Sequence, residues 1–139
     1  MAEPRMRRWV SGFQSQLDRK ADPRTKAWWE RYLNGEIAFR GVKMAGIREA
    51  LHHWYRAEQL GDTLSNSEQM ELAYELMRRP YAEDKLAGIL FLQEILLSLG
   101  ALACPSCLAA MAGLFEAGYI REWNACDWFC VKVLGPLVE

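Results

Sequence analysis

The 139-residue chain is short of several things, and each shortage removes a class of protein. It has no uninterrupted run near eighteen apolar residues: residues 86–104, the most apolar stretch, are broken by Gln93, Glu94 and Ser98 and fit a buried helix better than a membrane span. Its N-terminus, Met-Ala-Glu-Pro-Arg-Met-Arg-Arg-Trp-Val, has no apolar core or cleavage site behind its charges, so secretion is not expected and an intracellular address is. There the four cysteines are expected as thiols. β-Branched residues are scarce, with 12 Val, Ile and Thr against 35 Leu and Ala, which disfavours a sheet. The sequence carries no G-x-S-x-G, P-loop, dinucleotide fingerprint or H-E-x-x-H, and with them go the commoner hydrolase, nucleotide-binding and zincin mechanisms.

Net charge is also missing, since 17 basic residues meet 18 acidic ones. Taken whole, a charge of −1 speaks against a polyanionic partner. The balance is an average of unlike halves, however. Residues 1–56 hold 12 basic and 6 acidic side chains, a net +6, and the remainder holds 5 and 12, a net −7.

What is present is helical periodicity, and the expectation is an all-α chain forming a single domain over residues 1–139. A first helix is expected over residues 4–19. A second starts at Asp22-Pro23, a cap followed by a first-turn proline, and ends at Asn34-Gly35. A third begins near Met44 with Met44, Ile47, Leu51 and Trp54 on one stripe. Residues 61–66 read as a loop leading to a fourth helix, capped from Ser65-Asn66-Ser67, with Met70, Ala73, Tyr74 and Met77 in register. The fifth, residues 81–99, is apolar on nearly every side after its first turn. A sixth follows Cys104-Pro105 with Leu108, Met111, Ala112 and Phe115 aligned, and a seventh runs from Asn124 to Gly135-Pro136. Seven short helices with brief loops suggest antiparallel pairs stacked as an α-solenoid, with a globular bundle as the alternative. Phe129, Val133 and Leu137 would then leave an apolar face near the C-terminus that favours self-association.

Three constellations could carry chemistry. Cys104-Pro-Ser-Cys107 with Cys126 and Cys130 has four thiols, but the second pair lies in line with Phe129 and Val133, so burial explains it and no metal is expected. His52 and His53 are adjacent on a helix, point about 100° apart and suit a solvated face better than a shared ion. Trp123-Asn-Ala-Cys-Asp127 opens the seventh helix. With Asn124 as N-cap, Asp127 sits at the third helical position, where its carboxylate complements the helix dipole; the same geometry lets it face a groove and stabilise a cation beside the indole. Trp28 and Trp29 cannot face one way, so one of them is expected to be exposed, able to touch a sugar or base or to pack against a further repeat.

Three separated stretches resemble the AlkD-type DNA alkylation-repair family. Trp29-Glu-Arg-Tyr-Leu-Asn-Gly-Glu-Ile-Ala-Phe-Arg-Gly-Val-Lys43, with Arg48 beyond it, is similar to the family's tyrosine-containing helix and its Phe-x-Gly-hydrophobic loop. Glu75-Leu-Met-Arg-Arg-Pro-Tyr-Ala-Glu-Asp-Lys-Leu-Ala87 is similar to its helix end, proline and charged helix start, and Trp123-x-x-x-Asp127 to its catalytic segment. Ala45 and Met77 depart from it, standing where a proline and a tryptophan are usual.

The resemblance implies a HEAT-repeat DNA glycosylase, or an N-terminal portion of one, that removes cationic N3- or N7-alkylated purines from duplex DNA without a cofactor. It implies Asp127 as catalytic carboxylate, Trp123 as the aromatic wall beside the lesion, and Tyr32 and Lys43 as contacts to DNA backbone and groove. Arg40 and Arg48 are added on charge alone as phosphate contacts. The alternative is a non-catalytic helical-repeat module that binds DNA structure or a protein partner, with Asp127 only a cap.

Overall fold

The computed structural model describes residues 4–32, 35, 37–97, 112, 113 and 116. Within them the chain forms α1 (Pro4–Lys20), α2 (Pro23–Tyr32), α3 (Met44–Ala57), α4 (Leu60–Thr63), α5 (Asn66–Met77) and α6 (Ala82–Leu90), and α6 continues into a π-helical turn, Phe91–Leu96. Among the described residues there is no strand, only an isolated parallel bridge between Ala38 and Tyr81. The expected all-α helical-repeat class is what the chain adopts.

Capping chemistry sets most boundaries. The Asp22 carboxylate accepts the Arg24 backbone N–H at 3.0 Å, and Pro23 occupies the first turn, where its missing N–H leaves no bond unmade. Gly35, at φ +70°, donates its N–H to the Glu30 carbonyl at 2.8 Å and ends that segment. Ser65 opens α5 with a full capping box: its hydroxyl accepts from Glu68 N–H while the Glu68 carboxylate accepts from Ser65 N–H.

Two expectations change. Residues 61–66 are not all loop, because Leu60–Thr63 makes one helical turn, entered through Gln59 in the left-handed region at φ 52°. Leu60 and Leu64 are both buried, and one turn of helix is what brings two residues four apart to the same core. The long apolar helix also changes register, since Leu97 donates to the Leu92 carbonyl five residues back. That turn keeps Ile95 and Leu96 inside with Leu92 while Gln93 and Glu94 stay half-exposed.

The core lies where α1, α3, α5 and α6 meet. Trp54 of α3 is fully buried between Phe13 of α1, at 4.9 Å between ring centroids, and Phe91, at 6.2 Å. A smaller cluster of Ile37, Phe39 and Ala82, with Trp29 packed against it, joins residues 37–43 to the start of α6. Helix α2 buries no residue fully and is held through Trp29, whose ring stacks on Phe39 at 5.8 Å.

Ala112, Gly113 and Glu116 are helical and exposed, within the span expected for the sixth helix. The expected seventh helix, all four cysteines, Trp123, Asp127 and the face of Phe129, Val133 and Leu137 lie outside the described residues.

At Gly88 the two helices α5 and α6 touch backbone to backbone. A Cβ placed there would collide with the Met77 side chain and come within 2.6 Å of the Ala73 carbonyl oxygen. Gly88→Ala is therefore expected to destabilise the fold by about 1–3 kcal/mol despite its better helix propensity. Urea denaturation measures it, and a variant as stable as the parent contradicts this packing.

Candidate functional site

Residues 37–43 would have no reason to hold one shape by themselves, since they lie between helices and pair with no strand. Their shape comes from α6. Glu83, 1% exposed, accepts the backbone N–H groups of Arg40 at 2.8 Å, Gly41 at 2.9 Å and Val42 at 3.2 Å. Asp84, fully buried, accepts Nε and Nη2 of Arg40 at 2.8 and 3.1 Å in a two-pronged pair, and Gln14 Nε2 of α1 at 2.9 Å. Gly41 has φ +97° and lies so close to the Asp22 carbonyl that no Cβ fits; its own carbonyl accepts the Asp22 N–H at 2.8 Å. Three backbone donors on one carboxylate and a guanidinium on the next leave neither buried charge unmatched.

This arrangement relocates one expected contact. Arg40 was assigned to phosphate on charge alone, but its side chain is 8% exposed, its third prong reaches Asp18 at 2.6 Å, and its guanidinium lies 4.1 Å over the Tyr81 ring. Burial acts to lower its pKa, but the Asp84 and Asp18 bonds outweigh that and raise it. The charge of Arg40 is taken up by acids 22 and 44 residues away in the chain, which no local pattern reveals.

The other three DNA-contact candidates are at the surface. Tyr32 is 54% exposed, at the end of α2, with its ring parallel to that of Trp28 at 5.4 Å. Trp28 is the exposed member of the tryptophan pair, at 53%, and Trp29 the half-buried one. Lys43 precedes α3, is exposed and has no ion-pair partner among the described residues. It lines a cleft of about 400 Å³ together with Asp22, Arg24, Thr25, Trp28 and Trp29, so Trp28 links Tyr32 on one side to Lys43 on the other. Inside that link, Lys26 bonds Glu30 and the Phe39 carbonyl, and Glu30 accepts Phe39 N–H; the Lys26 and Phe39 bonds hold the Glu30 carboxyl below its ordinary range.

Arg48 stands apart from this cleft. Its Nε donates to Glu94 of the π-helical turn at 2.7 Å, and its side chain is 43% exposed. His52, expected on a solvated face, shares the same carboxylate at 2.8 Å. Burial acts to raise the Glu94 carboxyl, yet the bonds from His52 and Arg48 prevail and hold it below its ordinary 4.5. Sequence reasoning missed Arg24, whose only signal is its spacing of one helical turn from Trp28, itself one turn from Tyr32.

A family model described as "DNA alkylation repair enzyme" matches residues 13–139. The chain belongs to the DNA alkylation repair enzyme family. No curated protein and no solved structure matches it. For this DNA alkylation repair protein, membership implies a role in repair of alkylated DNA and therefore an interaction with DNA. No helix among the described residues is long and apolar enough to cross a membrane.

Two expectations test the site's framework. Arg40→Ala strands the Asp84 carboxylate in the core and is expected to cost about 3–5 kcal/mol; a loss under about 1 kcal/mol in urea denaturation contradicts the inward role. Glu94 contributes through a lowered carboxyl pKa, so its stabilisation is complete above pH 4.5 and fades as the pH falls through the lowered value. Glu94→Gln is thus expected to destabilise by about 1 kcal/mol at pH 7 and by clearly less at pH 3, and an unchanged difference between the two pH values contradicts it.

Proposed function

We propose that this protein is a DNA N-glycosylase that excises positively charged N3- and N7-alkylated purines from duplex DNA. The observation that carries the reading is the family match, which runs through the segment holding Trp123 and Asp127. An alkylated purine that already bears positive charge needs no proton to leave. What remains is to stabilise the sugar as its C1′–N bond breaks and positive charge develops there, and to direct water to C1′. One carboxylate does both: as the purine leaves, neutral, with the electron pair of the C1′–N bond, Asp127 offsets the oxocarbenium-like charge and orients the attacking water, accepting its proton as the C1′–O bond forms. Trp123 supplies an electron-rich face to the cationic base.

The described surface supports a DNA partner of that kind. The exposed cation at Lys43 suits backbone phosphate, as does Arg48 where it is not held by Glu94, and the half-exposed Tyr32 ring suits a sugar or groove contact. A non-catalytic helical-repeat module on DNA is the second reading, favoured by the fact that these contacts would bind without any chemistry.

Duplex DNA carrying N7-methylguanine or N3-methyladenine, incubated with the protein, separates the two by chromatography of the released base. The parent is expected to release it, and Asp127→Asn to slow release by about 100-fold or more. No release by the parent, or equal release by both, rejects the glycosylase.

A further inference from the structure

We propose that the cleft between α2 and Lys43 is a stacking site for one unpaired nucleotide, which gives the protein an affinity for single-stranded DNA. The inference rests on DNA being the partner, as family membership implies, and not on glycosylase chemistry.

Three observations converge on it. First, Trp28 and Tyr32 form a parallel pair one helical turn apart, with 5° between their planes, and each is more than half exposed. A monomer surface that leaves two large rings side by side in water forgoes burial that a flat ligand would supply. Second, the pair is closed at one end only. Tyr32, one turn toward the C-terminus, covers one side of Trp28, whereas Arg24 and Thr25, one turn toward the N-terminus, line the cleft on the other. Trp29 meets Trp28 edge-on at 4.8 Å and fixes the indole's orientation. A base entering the cleft would extend the order from Tyr32 through Trp28 by one more ring.

Third, the cleft is provided with unspent positive charge. Neither Arg24 nor Lys43 pairs with a carboxylate among the described residues, and the exposed Arg31, three residues on from Trp28, shares its side of α2 by helical spacing. The one acid lining the cleft, Asp22, already accepts Arg24 N–H at 3.0 Å and Thr25 Oγ1 at 3.4 Å as the helix cap. A ring to stack on, with cations one turn away to take the flanking phosphates, is the arrangement by which proteins hold single strands without reading sequence. In a paired duplex every base face is already occupied by its neighbours, so this ring has nothing to stack on unless a nucleotide is displaced.

The test uses fluorescein-labelled dT12, which cannot pair with itself, and an undamaged 12-base-pair duplex, read by fluorescence anisotropy. The parent is expected to bind dT12 with an affinity that falls as salt rises. Trp28→Ala, at an exposed position, is expected to retain the far-ultraviolet circular dichroism of the parent and to weaken dT12 binding by about 5- to 150-fold. Trp28→Phe is expected to stay within about threefold of the parent because a ring remains. Arg24→Ala is expected to flatten the salt dependence by about 0.7 in log–log slope, the share of one phosphate contact.

A parent with no affinity for dT12, or a Trp28→Ala protein that binds it as the parent does, overturns the site. So does loss in Arg24→Ala with none in Trp28→Ala, which marks binding by charge alone. Base release from alkylated duplex, read on the same proteins, keeps the two ideas apart. Release without Trp28-dependent dT12 binding sinks only the stacking site; Trp28-dependent binding without release sinks only the glycosylase.

Discussion

Two adjacent buried carboxylates, Glu83 and Asp84, hold residues 37–43 against the start of α6. Removing a carboxylate from water costs several kcal/mol, so each is tolerated only where donors surround it. The donors here come from outside α6: Arg40, Gly41 and Val42 N–H for Glu83, and Arg40 and Gln14 side chains for Asp84. The penalty therefore works in reverse as an instruction. Any arrangement in which residues 37–43 leave the start of α6 exposes two unmatched charges to an apolar interior. A seven-residue connection is thereby fixed as tightly as a strand, and with it the placement of Lys43 at the head of α3 and of Phe39 beneath Trp29.

The same pairing sorts the basic residues of the N-terminal part. Of the twelve up to Arg56, Arg40 is drawn inside, and Arg5, Lys20, Lys26 and Arg48 each meet a carboxylate. Arg7, Arg8, Arg19, Arg24, Arg31, Lys43 and Arg56 meet none among the described residues, and of these Arg24 and Lys43 line the cleft beside Trp28. A charge excess counted along a chain says how much positive charge there is. Where it can act depends on which cations the fold consumes, and the two that line the cleft beside Trp28 are among those it leaves.

This division marks what could be read without coordinates. Helix starts at Asp22-Pro23 and Ser65, and the stripe of α3, follow from chemistry local to a few residues, and they were legible; on α5 the stripe held Ala73, Tyr74 and Met77 but not Gln69, Leu72 and Leu76, which are buried beside them. The exposure of one member of the Trp28-Trp29 pair followed from helical geometry. Glu83-Asp84-Lys85 reads locally as no more than a charged helix start. Its burial depends on Arg40 some forty residues earlier, a relation that no periodicity carries. Arg40 was misplaced for the same reason, and the one-turn helix at Leu60 was missed because four residues are too few to show a period. The resemblance supplied what propensities could not, a chemical role for Asp127 and Trp123.

Helix α2 has no fully buried residue and, among the described residues, is attached through one ring contact, a few bonds from Lys26 and Glu30, and the Asp22 bond to Gly41. Its detachment would uncover Phe39 and little else, leaving the packing of Trp54 with Phe13 and Phe91 intact. The free energy that keeps α2 in place is thus a local quantity, much smaller than that of the whole domain. The element bearing the exposed rings can lift and reseat while the rest stays folded, and its backbone amides would exchange with solvent by that route long before those of α3 or α6.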